Sequence, residues 1–342
     1  MTVQGDASAS AQGDASASTA RLIAVDDATP VDSLGAAPCV LVIGNFDGVH
    51  LGHQAVLRQA VAQARSTGVS ASVLTFDPHP AGVVGGGAPQ RLTTLERRAE
   101  LVSDLGIDRM YVRRFDSAFA AWQPERFVRD LVVGALRASI VVVGENFRFG
   151  AKRAGDLTLL RALGAQLGFG VQVHAVASDA RGRYSSTRAR EAVVAGDLEE
   201  VRRVLGRPHA LTGVVAHGDE RGRTLGVPTA NLVGIPELLP PKGVYAVTAD
   251  RYREAQRAFA PVAHGVTNIG VRPTVGSGGL SVETYLLDFA GDLYDARLRI
   301  HLVARLRDEK KFASLDELKA QIARDVSDAR AALARPDFDD TP

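Results

Sequence analysis

The chain has 342 residues, 46% of them hydrophobic and 23% charged, which is typical of a globular protein long enough for two domains. The formal net charge of +1 gives no sign of a nucleic-acid partner, and no apolar stretch approaches the length of a membrane span. With one cysteine, Cys39, we expect neither an intrachain disulfide nor a cysteine-rich zinc site, and the cytoplasm is the simplest setting.

The chain begins with a direct repeat. The string QGDASAS stands at residues 4–10 and again at 12–18, without Lys, Arg or an apolar core. We expect no signal peptide here, and small polar residues cannot bury enough surface to become ordered. The sequence therefore predicts a disordered leader at residues 1–20, an N-terminal domain at 21–205 and a C-terminal domain at 206–335.

Residues 38 to about 205 alternate short β-branched runs with helical patterns. The runs lie at residues 39–43, 72–76, 109–112, 139–143 and 171–175. They lack strict alternation, as is typical of strands covered on both faces. Thr93 and Glu96 form a capping box ahead of one helix, and Pro124 suits the first turn of another. This order predicts a doubly wound, parallel α/β sheet.

The pattern changes after residues 206–208. In the segment 297–306 apolar residues alternate with arginines and a histidine, and four further strands are predicted at 210–216, 243–249, 262–269 and 282–289. Several short antiparallel strands predict a small β-barrel. Ser314 and Glu317 form a capping box that opens a terminal helix to about Leu333, and residues 187–205 are expected to be a helical connection.

The strongest local signal is the string GNFDGVHLGH at residues 44–53, which follows the first predicted strand and opens a helix. Open α/β sheets bind ligands at this edge, where free N–H groups of a helix attract phosphate. Gly44, Gly48 and Gly52 would let the backbone approach a ligand. His50 and His53 can donate to one anion and stabilise charge during displacement at phosphorus, although in isolation they could simply cap the helix.

The H-x-G-H motif resembles the nucleotidyltransferase superfamily, and the longer string resembles its FAD synthetase branch. Three further segments match that branch: TFDPHP at residues 75–80, GENFRFG at 144–150 and SSTRAR at 185–190. Each follows a predicted strand, at the edge where a doubly wound sheet gathers its site. The resemblance implies transfer of an adenylyl group from ATP to FMN, with release of pyrophosphate.

The resemblance also implies binding residues. Besides the three glycines, the expected ATP-binding residues are Asn45, Phe46, Asn146, Ser186, Thr187 and Arg190. Hydroxyl and guanidinium groups at a helix N-terminus would hold the triphosphate, although Ser-Ser-Thr is equally the sequence of a helix cap. Asp77, Phe147 and Phe149 are expected flavin contacts, and the two aromatic side chains are equally suited to the core.

A second dense motif, GRTLGVPTAN, occupies residues 222–231, and no Walker A string occurs in the chain. It resembles the riboflavin kinase family, whose signature is a Gly-rich stretch leading into Pro-Thr-Ala-Asn. The resemblance implies that Thr229 and Asn231 hold Mg²⁺ together with ATP, because their oxygen atoms suit this ion. Gly222 and Gly226 would let the loop wrap phosphate.

A kinase also needs a group that orients or deprotonates the attacking alcohol. Glu283 matches the catalytic base of the family and lies opposite the apolar face of its strand, with a salt bridge to an arginine of segment 297–306 as the alternative. Arg307 is expected to reach phosphate or flavin. Asp295 stands where the family commonly has Gly, which predicts a strained turn.

The two resemblances together span about residues 38–325 and match the order in bacterial bifunctional riboflavin kinases/FMN adenylyltransferases. They imply riboflavin, FMN, FAD and ATP as substrates and products, Mg²⁺ as cofactor and a cytoplasmic enzyme. Two alternatives stay open. The kinase could be fused to a nucleotidyltransferase with another mononucleotide acceptor, or the chain could be a flavin-binding sensor without catalysis. The oligomeric state is also left open.

Overall fold

The structure is a computed structural model that describes residues 20–26, 37–217, 227–271 and 280–334. Residues 1–19 of the predicted leader, and the predicted loop glycines Gly222 and Gly226, lie outside the described residues. The expectations for these positions therefore stay predictions.

The described N-terminal half is built on a parallel sheet of six strands. They are β1 (Arg21–Val25), β2 (Cys39–Ile43), β3 (Ser70–Asp77), β4 (Arg109–Arg114), β5 (Ala138–Gly144) and β6 (Gly170–His174), in the order β1-β4-β3-β2-β5-β6. The five predicted runs are all strands, so the predicted parallel sheet is confirmed. The edge strand β1 was not predicted, because its five residues stand apart from the strand–helix alternation that begins at residue 38.

Helices cover both faces of this sheet. They are α1 (Leu51–Thr67), α2 (Pro80–Val83), α3 (Leu95–Asp104), α4 (Ser117–Ala120), α5 (Pro124–Arg126), which continues as a π-helix over Phe127–Ala135, α6 (Leu157–Leu167), α7 (Ser186–Ala195) and α8 (Leu198–Leu205). A 3₁₀ turn covers Ala151–Arg153, and a small ribbon pairs β7 (Ser178–Asp179) with β8 (Gly182–Arg183). Leu41 of β2 packs in one core cluster, while Val40 and Val42 pack in the other, so the sheet is doubly wound.

The start of α3 differs from the predicted capping box. The hydroxyl of Thr94, not that of Thr93, accepts the N–H of Arg97 at 3.0 Å and caps the helix. The Thr93 hydroxyl instead accepts the N–H of Gly48 at 3.0 Å and donates to Asp47 at 3.1 Å. Two adjacent threonines offer the same local chemistry, and the tertiary contact with the 44–53 loop decides between them.

The C-terminal half is a closed antiparallel barrel, as predicted. Its strands are β9 (His209–Ala216), β10 (Thr229–Val233), β11 (Gly243–Arg253), β12 (Ala258–Val271), β13 (Leu280–Leu286) and β14 (Arg297–Arg307), in the order β10-β13-β12-β11-β14-β9. The terminal helix α9 (Leu315–Leu333) is confirmed, with Ser314 as its cap. In the described ranges no helix is both long and apolar enough to cross a membrane.

Part of the polar face of β14 lies against the N-terminal half. Arg299 is only 1% exposed, and its two terminal nitrogens donate to the Glu100 carboxylate of α3 at 2.7 and 2.9 Å. Arg297 pairs with Glu96 of the same helix, and His301 on the same face is also buried. Ion pairs from one strand of the barrel to one helix of the sheet domain therefore join the two halves.

Candidate active sites

The two histidines of the H-x-G-H motif lie together at the beginning of α1. His50 is the N-cap residue, and its Nδ1 accepts the backbone N–H of His53 at 3.2 Å. The two rings stack with centroids 3.6 Å apart. A Cβ on Gly52 would lie 3.1 Å from His50 Nδ1, which explains why glycine separates this pair. The prediction that both rings lie at the helix start is confirmed.

Both imidazoles are neutral near neutral pH. Burial, helped by the charge of Arg207, lowers the pKa of His50 to about 4. Burial and the neighbouring His50 hold the pKa of His53 well below its usual value. Because His50 Nδ1 is an acceptor, the neutral ring carries its proton on Nε2. His50 can therefore donate a hydrogen bond from Nε2 without carrying charge.

The 44–53 loop holds strained backbone between β2 and α1. Phe46 has φ 50° and Val49 has φ 40°, which strains residues that carry a Cβ, whereas Gly48 adopts its φ of 82° without strain. Phe46 was expected to bind ATP, but the residue is only 2% exposed and its ring lies edge-on to His53 at 5.0 Å, so its side chain packs in the core. Gly44 packs closely beneath the same ring, since a Cβ there would lie 3.0 Å from Phe46 Cζ.

A buried carboxylate that the sequence analysis missed organises the loop. Asp47 is 4% exposed and accepts the backbone N–H groups of Leu92 and Thr93 at 3.1 and 3.0 Å. It also pairs with Arg190 at 2.5 Å and with Arg98 at 3.4 Å. The available signal was the position of Asp47 within the motif, but its partners come from distant segments. Asp47 thus holds three parts of the site together.

The SSTRAR segment opens α7 beside this loop. Ser185 caps α7 by accepting the N–H of Arg188 at 3.1 Å, while the Ser186 hydroxyl donates to the Asp47 carbonyl at 2.8 Å. Thr187 is exposed. Arg190, expected to hold triphosphate, lies in the site with its guanidinium on Asp47. The structure therefore brings Ser186 and Arg190 to the loop, where both already have protein partners.

The segments after β3 and β5 contribute further groups. Asn45 Nδ2 lies 3.1 Å from His79 Nε2, a histidine that the sequence analysis did not single out. Asp77 pairs with Arg91 at 3.0 Å. Asn146 is exposed at the end of β5.

Aromatic side chains line the carboxyl ends of β3, β4 and β5. Phe149 is buried in the core and stacks on Phe147 with centroids 5.4 Å apart, whereas Phe147 is only partly buried. Phe76 contacts Phe115 at 5.7 Å, and the cluster continues through Phe119 to Trp122. Of the two phenylalanines expected to contact flavin, only Phe147 has a side chain that is accessible to a ligand. Most of this aromatic wall was not predicted.

The barrel gathers the predicted kinase residues on one outward face. Asn231 of β10 stands opposite Glu283 of β13, and Glu283 also stands opposite Asn268 of β12. Thr229 is two residues from Asn231 and so shares its face. Within the described ranges there is no cluster of three His, Cys, Asp or Glu side chains that could hold a metal alone. One hydroxyl and one amide oxygen would leave most of the Mg²⁺ coordination to nucleotide phosphates and water.

The arginines of β14 do not pair with Glu283. Their carboxylate partners are elsewhere: Arg297 pairs with Glu96, Arg299 with Glu100, Arg305 with Asp308 and Arg307 with Asp325. The salt-bridge alternative for Glu283 is therefore wrong.

Two further predicted residues of the barrel have definite positions. Arg307 binds the Asp325 carboxylate through two nitrogens at 2.8 and 2.7 Å, so it ties β14 to α9 and its expected role at flavin stays a prediction. Asp295 has φ 60°, which confirms the predicted turn strain.

Two family models match separate parts of the chain. A family model described as FAD synthetase matches residues 34–188, and one described as riboflavin kinase matches residues 205–333. A solved structure titled macrolide-efflux protein from Streptococcus pneumoniae superposes with a TM-score of 0.77 and 28% identity, over 90% of this chain and 99% of that one. That title describes the pneumococcal protein, and the likeness shows a shared architecture across both halves.

Named relatives match most of the chain. The bifunctional riboflavin kinase/FMN adenylyltransferase of Escherichia coli K12 is 42% identical over 304 residues, which are 88% of this chain and 95% of the relative. The protein of the same name from Listeria monocytogenes is 40% identical over 299 residues, which are 86% and 93% of the two chains. The chain belongs to the family of bifunctional riboflavin kinases/FMN adenylyltransferases.

Proposed function

We propose that the chain makes FAD in two steps. The barrel domain transfers the γ-phosphoryl group of ATP to riboflavin and gives FMN, and the N-terminal domain transfers the adenylyl group of a second ATP to FMN. One observation carries this proposal: each half has its own group of polar side chains, the stacked His50/His53 pair in one and the Thr229, Asn231 and Glu283 face in the other.

Adenylyl transfer requires stabilisation of charge at phosphorus. A phosphate oxygen of FMN attacks the α-phosphorus of ATP. The bond between this phosphorus and the oxygen that bridges it to the β-phosphorus breaks, and pyrophosphate leaves with the electron pair of that bond. The Nε2–H of His50 and the free N–H groups of α1 can donate to the oxygens that gain charge. No covalent enzyme intermediate is needed, because positioning and hydrogen bonds supply the catalysis.

The aromatic wall favours FMN as the acceptor over a smaller mononucleotide. Phe76, Phe115 and Phe147 are partly buried at the strand ends, next to the 44–53 loop. A flavin has a broad tricyclic ring that such a surface can cover, and aromatic contacts of this kind add to apolar burial. The presence of a flavin-phosphorylating domain in the same chain supports the same acceptor.

Phosphorylation of riboflavin requires a general base and a bound nucleotide. We assign Glu283 to accept the proton of the ribityl 5′-hydroxyl as that oxygen attacks the γ-phosphorus, with ADP as the leaving group. Thr229 and Asn231, on the same face, would hold Mg²⁺ with ATP. When bound, this ion would neutralise charge on the phosphates.

The proposed cellular location of the enzyme is the cytoplasm.

Product analysis tests the proposal. The full chain is incubated with riboflavin, ATP and Mg²⁺, and flavins are separated over time for the wild type, Glu283→Gln and His50→Ala/His53→Ala. We expect FMN and then FAD from the wild type, FAD from supplied FMN with Glu283→Gln, and arrest at FMN with the double variant. A wild type that stops at FMN would contradict adenylyl transfer to FMN, and flavin binding without turnover would favour the sensor.

A further inference from the structure

Helix α3 contacts both the barrel and the 44–53 loop. Consecutive side chains on a helix point about 100° apart, so Arg97 and Arg98 face different neighbours. Arg97 donates to Glu100 at 2.9 Å beside the barrel, whereas Arg98 is buried against Asp47 and Thr75. The helix therefore lies between a strand of the kinase domain and the loop that carries the adenylylation motif.

The barrel holds α3 through an ion pair between the buried Arg299 and the partly buried Glu100. Arg299 of β14 donates twice to Glu100, and its guanidinium lies 3.8 Å from the centroid of the Phe259 ring. Although burial opposes it, the hydrogen bonds from Arg299 lower the pKa of Glu100 below its usual value. Paired contacts between a planar guanidinium and a carboxylate fix direction as well as distance. Arg299 therefore limits both the position and the rotation of α3.

At its other side, α3 and the residues just before it hold the loop. Leu92 and Thr93 donate their backbone N–H groups to Asp47, and the Arg98 guanidinium pairs with the same carboxylate. Asp47 lies three residues before His50, between Phe46, whose φ of 50° is strained, and Gly48, whose φ is also positive. Left-handed backbone of this kind persists only where surrounding contacts determine it.

A second tie reaches the same loop from the domain junction. Arg207 lies between α8 and β9 and donates to the carbonyl of Gly48 at 2.6 Å and to that of Val49 at 3.3 Å. Burial lowers the pKa of this guanidinium to about 9. Residues that belong to the barrel, or that the barrel holds in place, therefore help to determine the conformation of the 44–53 loop.

We propose that Arg299, although it lies on the kinase barrel, is a positioning residue for adenylyl transfer. It orients Glu100 and thereby α3, and α3 orients Asp47 and the loop that presents His50 and His53. This inference rests on the proposed function of the N-terminal domain. A merely structural ion pair would affect the barrel first, since Arg299 is part of β14, whereas a positioning residue affects FAD formation and spares FMN formation.

The test uses the full chain and measures both activities in each preparation. The variants are Arg299→Gln, Glu100→Gln, the double variant, Arg299→Lys and the control Arg65→Gln. Arg65 makes a contact of matched geometry with Asp108, at 3.1 and 3.0 Å, on the surface of the N-terminal half. We expect Arg299→Gln and Glu100→Gln to lower kcat for FAD formation roughly ten- to a hundredfold, because small misplacements of reacting groups are costly. The KM for FMN and the rate of FMN formation should be unchanged.

The outcomes separate the possibilities. The double variant should be no worse than the worse single variant, because the contact between Arg299 and Glu100 is already broken in each single variant, and Arg299→Lys should recover part of the rate. A parallel loss of both activities, additive losses or unchanged FAD formation would overturn the proposal. If Arg299→Gln does not fold, Glu100→Gln provides the test, because it weakens the same contact from the N-terminal domain. A wild type that makes FMN but no FAD would instead show that the proposed function has failed.

Discussion

His50 Nδ1 accepts the backbone N–H of His53, and the two imidazole rings stack with centroids 3.6 Å apart. This contact settles the tautomer of His50 and, together with burial, keeps the pair neutral. Two charged rings could not stack so closely without strong repulsion. The pair therefore differs from a cationic phosphate clamp, since it offers hydrogen-bond donors whose state does not change near neutral pH.

The first prediction concerns the pH dependence of FAD formation. Because the pKa of His50 is about 4, its ring is already neutral well below neutral pH. The kcat/KM for FAD formation, which reports ionisations of the free enzyme and of the free substrates, should therefore not fall as pH rises from about 6 to 8. Initial rates at low FMN and ATP concentrations measure this. A rate that falls as pH rises through about 6.5, the ordinary pKa of His, would show that a charged imidazolium is required.

The second prediction concerns Asp47. Asp47→Asn removes the negative charge between Arg98 and Arg190, and Arg98 would remain buried with a weaker partner. We expect FAD formation to fall about a hundredfold, because the loop loses its anchor, and the free energy of unfolding of the N-terminal half to fall by about 3 kcal/mol. FMN formation should persist. Denaturant unfolding and the two activity assays measure these effects.

The matched control for Asp47 is Asp179→Asn, which weakens a partly buried pair with Arg188 on the same helix as Arg190. This variant should leave both activities unchanged. Equal losses in the two variants would mean that the effect comes from α7 in general and not from the loop contact.

The sequence predicted the parallel sheet, the barrel and the terminal helix because each has a local signature. β2, for example, is five buried residues in an unbroken apolar run. The partners of Asp47 had no such signature, since Arg98 and Arg190 lie 51 and 143 residues away along the chain. The cap of α3 was misplaced by one residue for the same reason: Thr93 is drawn to Asp47, and no local rule distinguishes it from Thr94.

The third prediction concerns Gly52. A Cβ at this position would lie 3.1 Å from both Cε1 and Nδ1 of His50, closer than ordinary contact allows. Gly52→Ala should push the His50 ring out of its stack and lower kcat for FAD formation about tenfold. The control is Gly170→Ala, where the new Cβ would meet Ile140 at 3.6 Å, an ordinary contact. If the two variants retain equal activity, the close packing of Gly52 on His50 has no role in catalysis.

The last prediction concerns stability in acid. Burial lowers the pKa of His209 to about 4, and its Nε2 hydrogen-bonds the Leu238 carbonyl at 2.8 Å. The unfolded chain, with an ordinary His pKa near 6.5, binds a proton more readily, so stability is lost as pH falls from about 6.5 towards 4. For this one group the loss between pH 7 and pH 5 is about 2 kcal/mol. His209→Gln keeps a donor for Leu238 but does not titrate. Denaturant unfolding of the full chain at the two pH values should therefore show a smaller loss in this variant, and an equal loss would mean that His209 does not contribute to acid sensitivity.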